Sequence, residues 1–336
     1  AQMATVTGLA AARHAQLARH GWDVEIDGLA GTPRVTVLAG MQRHSTIDRA
    51  LRFLGLGTGC LVAVDADEQG RMRPDSLRAA LAAVDGPVIV CAQAGNLDTG
   101  ASDPMREVCE LAHAAGAWVH VDGAFGLWAA ASPRLRALVD GVDRADSWTT
   151  DAHKWLNVPY DSGIAIVRDH EAHRAAMSGR ASYLVHASGG ERDAVDYTPE
   201  FSRRGRGFAV YAALRSLGAD GVAELVERAC DQARSFASRR SGRPGIAILN
   251  DVVLNQVLIG FADADAYEIA ERIRNDGICF MTATRWNGRP ALRVSVSNWS
   301  TDEDDIDRSV EAIITAAREH PAGEHAAREH EVVEDK

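Results

Sequence analysis

The chain has 336 residues, enough for a large core and roughly two domains. With 46% apolar and 25% charged residues its composition is that of a soluble globular protein. A net charge of −11 argues against nucleic acid or an anionic membrane as partner, because their phosphates would repel it.

Ala4 to His20 is alanine-rich, with leucines at helical spacing, and stops at Gly21. Its free N-terminal N–H groups would suit an anion. Arg34 to Ala39 reads as a strand, with His44 just beyond its carboxyl end as a turn residue or a ligand. Ile47 to Leu54 and Pro74 to Val84 read as helices, Pro74 at the first helical position, with a short strand at Leu61 to Val64 between them. Pro87 to Ala94 is a buried strand that leads into a polar loop, Gly95 to Pro104. A helix from Pro104 to Gly116 follows, then the apolar run Ala117 to Gly126 and the strands Ser147 to Thr150 and Gly163 to Val167. Strand and helix alternate, which predicts an α/β fold whose parallel or mixed sheet is covered on both faces.

Met177 to Thr198 loses periodicity, and a loop of that length is usually functional or disordered. Tyr183 within it is either a surface tyrosine or an acid on a lid. Arg203, Arg204 and Arg206 precede a helix at Phe208 to Leu217 and are solvated charge or forks for phosphate and carboxylate. A second domain is expected from Gly218, giving 1–217, 218–318 and a charged tail at 319–336. Its elements are helices at Gly221 to Ser238, Asp265 to Asp276 and Thr301 to Arg318, and strands at Val252 to Phe261, Cys279 to Thr284 and Leu292 to Ser297. Thr301 to Asp304 reads as a capping box. Arg293 fits a substrate carboxylate or a plain salt bridge. In the tail His320, His325 and His330 are five apart, the wrong spacing for one helical face. Five widely spaced cysteines and no CxxC pair read as buried thiols in a reducing cytoplasm, and no metal site is expected. No apolar stretch is long enough to span a bilayer.

Two positions carry the chemistry. Asp122 ends the apolar run Ala117 to Gly126, at the carboxyl end of a central strand, where open α/β sheets bind ligands. A buried aspartate there needs a cationic partner. Lys154 lies thirty-two positions on, between His153 and Trp155 in a turn closed by Pro159. Alone, such a lysine is more often interfacial, its stem packed on Trp155 and its charge in water. Desolvation would instead free its amine to act as a nucleophile toward an aldehyde. A lysine imine with an aspartate on a protonated pyridine nitrogen is what pyridoxal phosphate requires of a protein.

His120-Val121-Asp122-Gly123-Ala124 followed by Asp151-Ala152-His153-Lys154-Trp155 resembles the pyridoxal-phosphate-dependent group II amino-acid decarboxylases. Met41 to Ser45, Ser182 to His186 and Pro199 to Arg206 are similar to further motifs of that family, in the same order. The resemblance implies a fold type I large domain, a mostly parallel sheet of the seven-stranded type, and a small C-terminal α+β domain. It implies pyridoxal 5′-phosphate on Lys154, Asp122 on the pyridine nitrogen, and His44 and Ala124 on the two ring faces. Further cofactor contacts would be His153, Gln2, Asn96 and Thr150. Tyr183 or His153 would return a proton after carbon dioxide leaves an L-amino acid. A cytoplasmic homodimer with a shared site is implied as well. Three departures stand out: Asp151-Ala152 where members often have Asn-Pro, which places an acid near the phosphate; Gln93 where many have threonine; and a start at Ala1 to Thr5 that resembles the end of the phosphate loop, as though the N-terminal segment were absent. The same machinery would serve another carbon–carbon lyase or an aminotransferase-like enzyme, and a shortened chain would suit an inactive relic.

Overall fold

The computed structural model describes residues 2–179, 192–240 and 244–319. The chain forms two compact units, Ala1–Arg228 and Ala229–Lys336, and the division falls within a long helix.

The first unit opens with α1 (Gln2–Ala18), which buries Leu9, Ala10, Ala11, Ala12 and Leu17. Small residues let it lie close to the sheet: a Cβ added at Gly8 would stand 2.7 Å from His120 Cε1. The short α2 (Val24–Asp27) is capped by Asp23, whose side chain accepts the Glu25 N–H. There follow β1 (Thr36–Gly40), α3 (Thr46–Phe53), β2 (Leu61–Val64), α4 (Pro74–Ala82), β3 (Val88–Gln93), α5 (Met105–Ala114), β4 (Trp118–Asp122), β5 (Ser147–Asp151), β6 (Gly163–Val167) and α6 (His170–Met177).

These strands pair in the order β2-β1-β3-β4-β5-β6. Every pair is parallel except β5 with β6. All five residues of β4 are buried, as are the first five of β3, as expected for central strands under helices on both faces. The core around them joins Leu9 and Leu17 of α1 to Val37, Ile47, Leu51, Ile89 and Trp118. Six strands are paired among the described residues, where the family resemblance implies a sheet of the seven-stranded type. The order turns back on itself between β1 and β3, and such a switch point opens a crevice at the carboxyl ends of the strands.

The long helix α7 (Gly207–Arg240) joins the two helices expected from Phe208 and from Gly221, with Gly218 (φ 65°, ψ −175°) departing from helical geometry between them. The second unit pairs β7 (Ile246–Ile248), β8 (Gln256–Phe261), β9 (Thr282–Trp286) and β10 (Arg289–Ser295) in the order β7-β8-β10-β9, all antiparallel. With α8 (Ala266–Asp276) and α9 (Glu303–Glu319) they enclose Phe236, Val257, Ile259, Ile273, Leu292 and Ile313.

Several boundaries differ from those read in the sequence. β8 starts four residues after Val252, because Asn250 bonds the Gln256 carbonyl and the Leu258 N–H and holds the approach irregular. β7, with three residues, is too short to show alternation. β9 runs on to Trp286, where Asn287 (φ 47°) and Gly288 (φ 78°) turn the hairpin. The cap of α9 lies one residue beyond Thr301. Asp302 accepts the Asp305 N–H at 2.9 Å and Asp305 accepts the Asp302 N–H at 3.2 Å, a reciprocal pair that Thr301 and Asp304 do not form. None of the five cysteines is in a disulfide; Cys279 is half-buried and the others are buried. Among the described residues no helix is long and apolar enough to cross a membrane.

Candidate active site

The carboxyl ends of β3, β4 and β5 set Gln93, Asp122 and Thr149 side by side in register. Beyond them the chain turns three times, and these turns are bonded to one another. Gly123 N–H donates to the Thr149 carbonyl at 2.9 Å, and Asp151 N–H to the Ala124 carbonyl at 2.8 Å. A Cβ on Gly126 would collide with the Ala94 carbonyl, so the turn after β4 lies directly against the loop after β3. A cavity at this edge is lined by Gln42, His44, Cys91, Gln93, Asp103 and Asp122, among others. It sits at the switch point between β1 and β3.

Asp122 is 7% exposed. Burial pushes its carboxyl above the usual carboxylate range, and the charges of His44 and then Lys154 pull the other way, so all three belong to one electrostatic site. Its Oδ1 accepts the Ala124 N–H at 3.2 Å. Two carboxylate oxygens accept about four such bonds, which leaves Asp122 with capacity toward the cavity.

Lys154 follows β5 and places Nζ 3.2 Å from Asp151 Oδ2. Asp151 is 1% exposed at its side chain and Lys154 35%. His153 Nε2 lies 3.6 Å from the same oxygen. Its Nδ1 is 2.9 Å from the Ser162 N–H, and its ring meets that of Tyr160 at 4.1 Å. Burial holds the His153 imidazole below its ordinary range, against the pull of Asp151.

His44 is half-buried, its Nδ1 2.9 Å from the Thr46 hydroxyl and 3.2 Å from the Thr46 N–H, which fixes the ring plane. Gln2 Nε2 donates to the Thr46 carbonyl at 3.0 Å, tying the start of α1 to the start of α3. Thr149 and Thr150 carry buried hydroxyls with no hydrogen-bond partner among the described residues. Asn96 builds the loop instead of facing a ligand. Its Nδ2 donates to the Gln42 carbonyl and to Gln93 Oε1, its Oδ1 accepts the Asp98 and Thr99 N–H groups, and these four bonds use its whole capacity. Tyr183 lies outside the described residues. Of the three arginines, Arg203 pairs with Glu200, Arg204 donates to the Tyr160 carbonyl and Arg206 makes a two-pronged pair with Asp161, bracing the loop that follows the Lys154 turn. Arg293 donates to the Thr282 hydroxyl at 2.9 Å.

Two features went unread in the sequence. Asp103 accepts the Met72 and Gln93 N–H groups at 2.7 Å each and so anchors β3 at the cavity; its only sequence signal is an Asp-Pro step before α5. The other is compositional. Lys154 and Lys336 are the only lysines among 36 basic residues, the other 34 being arginine.

A family model described as the pyridoxal-dependent decarboxylase conserved domain matches residues 1–261. The chain is 30% identical over 298 residues to L-2,4-diaminobutyrate decarboxylase of Rhizobium meliloti (strain 1021), covering 84% of this chain and 60% of that protein. To tryptophan decarboxylase 1 of Oryza sativa subsp. japonica it is 30% identical over 334 residues, 92% of this chain and 64% of that protein. Among solved structures, Oryza sativa TDC with PLP and tryptamine superposes with a TM-score of 0.86 at 27% identity, over 95% of this chain and 69% of that one. The chain belongs to the pyridoxal-dependent decarboxylase family. It spans less than two thirds of the length of both curated relatives.

Proposed function

We propose that this chain binds pyridoxal 5′-phosphate and, with it, removes the α-carboxylate of an L-amino acid as carbon dioxide, leaving the amine. The observation that carries the reading is the buried Asp122 carboxyl, set at the strand switch point where the charges of His44 and Lys154 act on it. The donors present fit the cofactor. Asp122 has bonding capacity for a pyridine N–H, Lys154 has a primary amine for an aldehyde, and Thr150 has a buried hydroxyl to give.

Bound, the cofactor supplies an electron sink for the pair released when a bond to the α-carbon breaks. The protein's residues supply the rest. Lys154 holds the cofactor through Nζ. Asp122 keeps a proton on the ring nitrogen, the protonation state in which the sink is strongest. His44, its plane set by Thr46, and the small Ala124 flank the two ring faces. Gln2 and Asn96 act at one remove, Gln2 by tying α1 to α3 and Asn96 by holding Gln93 beside Asp122. His153, 3.6 Å from Asp151, would move a proton near Lys154, and Tyr183 or His153 would return a proton to the α-carbon.

The same reading takes the active species to be a homodimer. In support, Phe208, Tyr211, Leu214 and Leu217 on the first part of α7 are 83%, 66%, 40% and 37% exposed, apolar surface suited to a second copy. Five cysteines outside any disulfide fit a reducing compartment such as the cytoplasm. The test is carbon dioxide release from a panel of L-amino acids with added cofactor. Turnover of at least one, falling about 10²-fold or more in Asp122→Ala, is expected. Equal rates in the variant and the wild type would refute the role given to Asp122.

A further inference from the structure

Asp151 is held rigidly. Its N–H donates to Ala124, its carbonyl accepts the Trp128 indole N–H at 3.3 Å, and it pairs with Gly163 across β5 and β6. Its side chain is 1% exposed, yet it carries the carboxylate oxygen that lies 3.2 Å from Lys154 Nζ. The family resemblance implies an acid near the phosphate at this position; in the structure its carboxylate lies against the lysine. A carboxylate at that depth is costly to ionise without a cation, and Lys154 is the cation beside it. The other titratable groups around the pair are Asp122 on β4, His44 after β1 and His153 in the same turn. The exposed Arg206–Asp161 pair lies on the loop that follows.

We propose that Asp151 is a positioning residue for Lys154: its buried carboxylate holds the side chain as an ammonium aimed at one place, and takes its proton when the amine is needed. In that transfer one N–H bond of the ammonium breaks and its electron pair stays on nitrogen as the lone pair. The proton forms an O–H bond on Asp151. The proposal rests on Lys154 as the cofactor lysine, and the two ideas fail in different ways.

The scarcity of lysine makes the test specific. Cofactor-free protein is pulsed with pyridoxal phosphate across a pH series, quenched with borohydride and digested, and the mass gain is read on the peptide that holds Lys154, with the Lys336 peptide as internal reference. In Asp151→Asn the onset of capture moves to lower pH than in the wild type, because the ammonium has lost its counter-charge. Its high-pH plateau falls about tenfold or more, because the amine is no longer aimed. Asp151→Glu keeps the onset and lowers only the plateau, and it serves alone should the asparagine variant not fold. An onset in Asp151→Asn equal to or above that of the wild type overturns the proposal, as does a plateau in Asp151→Glu equal to that of the wild type. A loss of melting temperature alone, with the profile unmoved, means a purely structural carboxylate and also overturns it. No capture at Lys154 in any protein refutes the cofactor role of Lys154, and the proposal falls with it.

Discussion

Burial pushes the Asp103 carboxyl up to about 6 from an ordinary 3.8, even though two N–H groups bond to it. The consequence for stability has a definite sign. Below about pH 4 the group is protonated whether the chain is folded or not, and it contributes nothing. Between about 4 and 6 the unfolded chain ionises first, so stability falls as pH rises, by up to about 3 kcal/mol, and then stays level. In Asp103→Asn this fall is absent, apart from a constant offset for the weakened bonds to Met72 and Gln93. Melting curves from pH 4 to 7 check it: the wild-type midpoint should decline relative to the variant between roughly pH 4 and 6. Parallel curves would contradict the assignment. Nothing in the sequence marks Asp103 in this way, since its burial comes from the packing of β3 against the segment around Met72. Lys154 and Asp122 were legible because each sits at a recognisable place, one ending an apolar strand and the other closing a turn. The partner of Lys154 was not. Asp151 was visible only as a departure from the family pattern, and its distance to Nζ comes from the fold.

The central strands were readable because a strand buried on both faces is a continuous apolar run, and β3 and β4 lie within a residue or a few of where such runs end. The second unit was read less well. Its strands are bounded by single side chains, such as Asn250 before β8 and Asn287 after β9, rather than by changes in composition. At the site the decisive contacts are between turns. Gly126 is the tightest, since any Cβ there meets the backbone at Ala94 and Gly95, which cannot move aside as a flexible side chain could. Gly126→Ala should therefore destabilise by about 1–3 kcal/mol and loosen the cofactor by shifting the loops after β3 and β4 together. Gly59→Ala, where an added methyl meets nothing within 4 Å, is the control and should melt like the wild type. Equal melting of all three proteins would mean that the turns are not in contact.

The whole chain is acidic and exposes Phe208, Tyr211, Leu214 and Leu217 on α7, apolar surface that a partner would cover. If that partner is a second copy, sedimentation should give twice the chain mass of 36.0 kDa, and Phe208→Asp with Tyr211→Asp should return it to the mass of one chain while leaving the fold intact. A wild type that sediments as a single chain would remove the dimer from the account. Family membership reached the sequence through five motifs in order, and the structure adds that the three carrying His44, Asp122 and Lys154 meet electrostatically at one edge of one sheet. The central claim is that Lys154 and Asp122 make that edge a pyridoxal phosphate site, and an absorbance spectrum of the purified chain with the cofactor, before and after borohydride, tests it most directly. A visible band that borohydride bleaches, with the cofactor mass fixed on the Lys154 peptide in wild type and absent in Lys154→Ala, is the predicted result. A colourless wild type, or equal covalent incorporation in the variant, would contradict it.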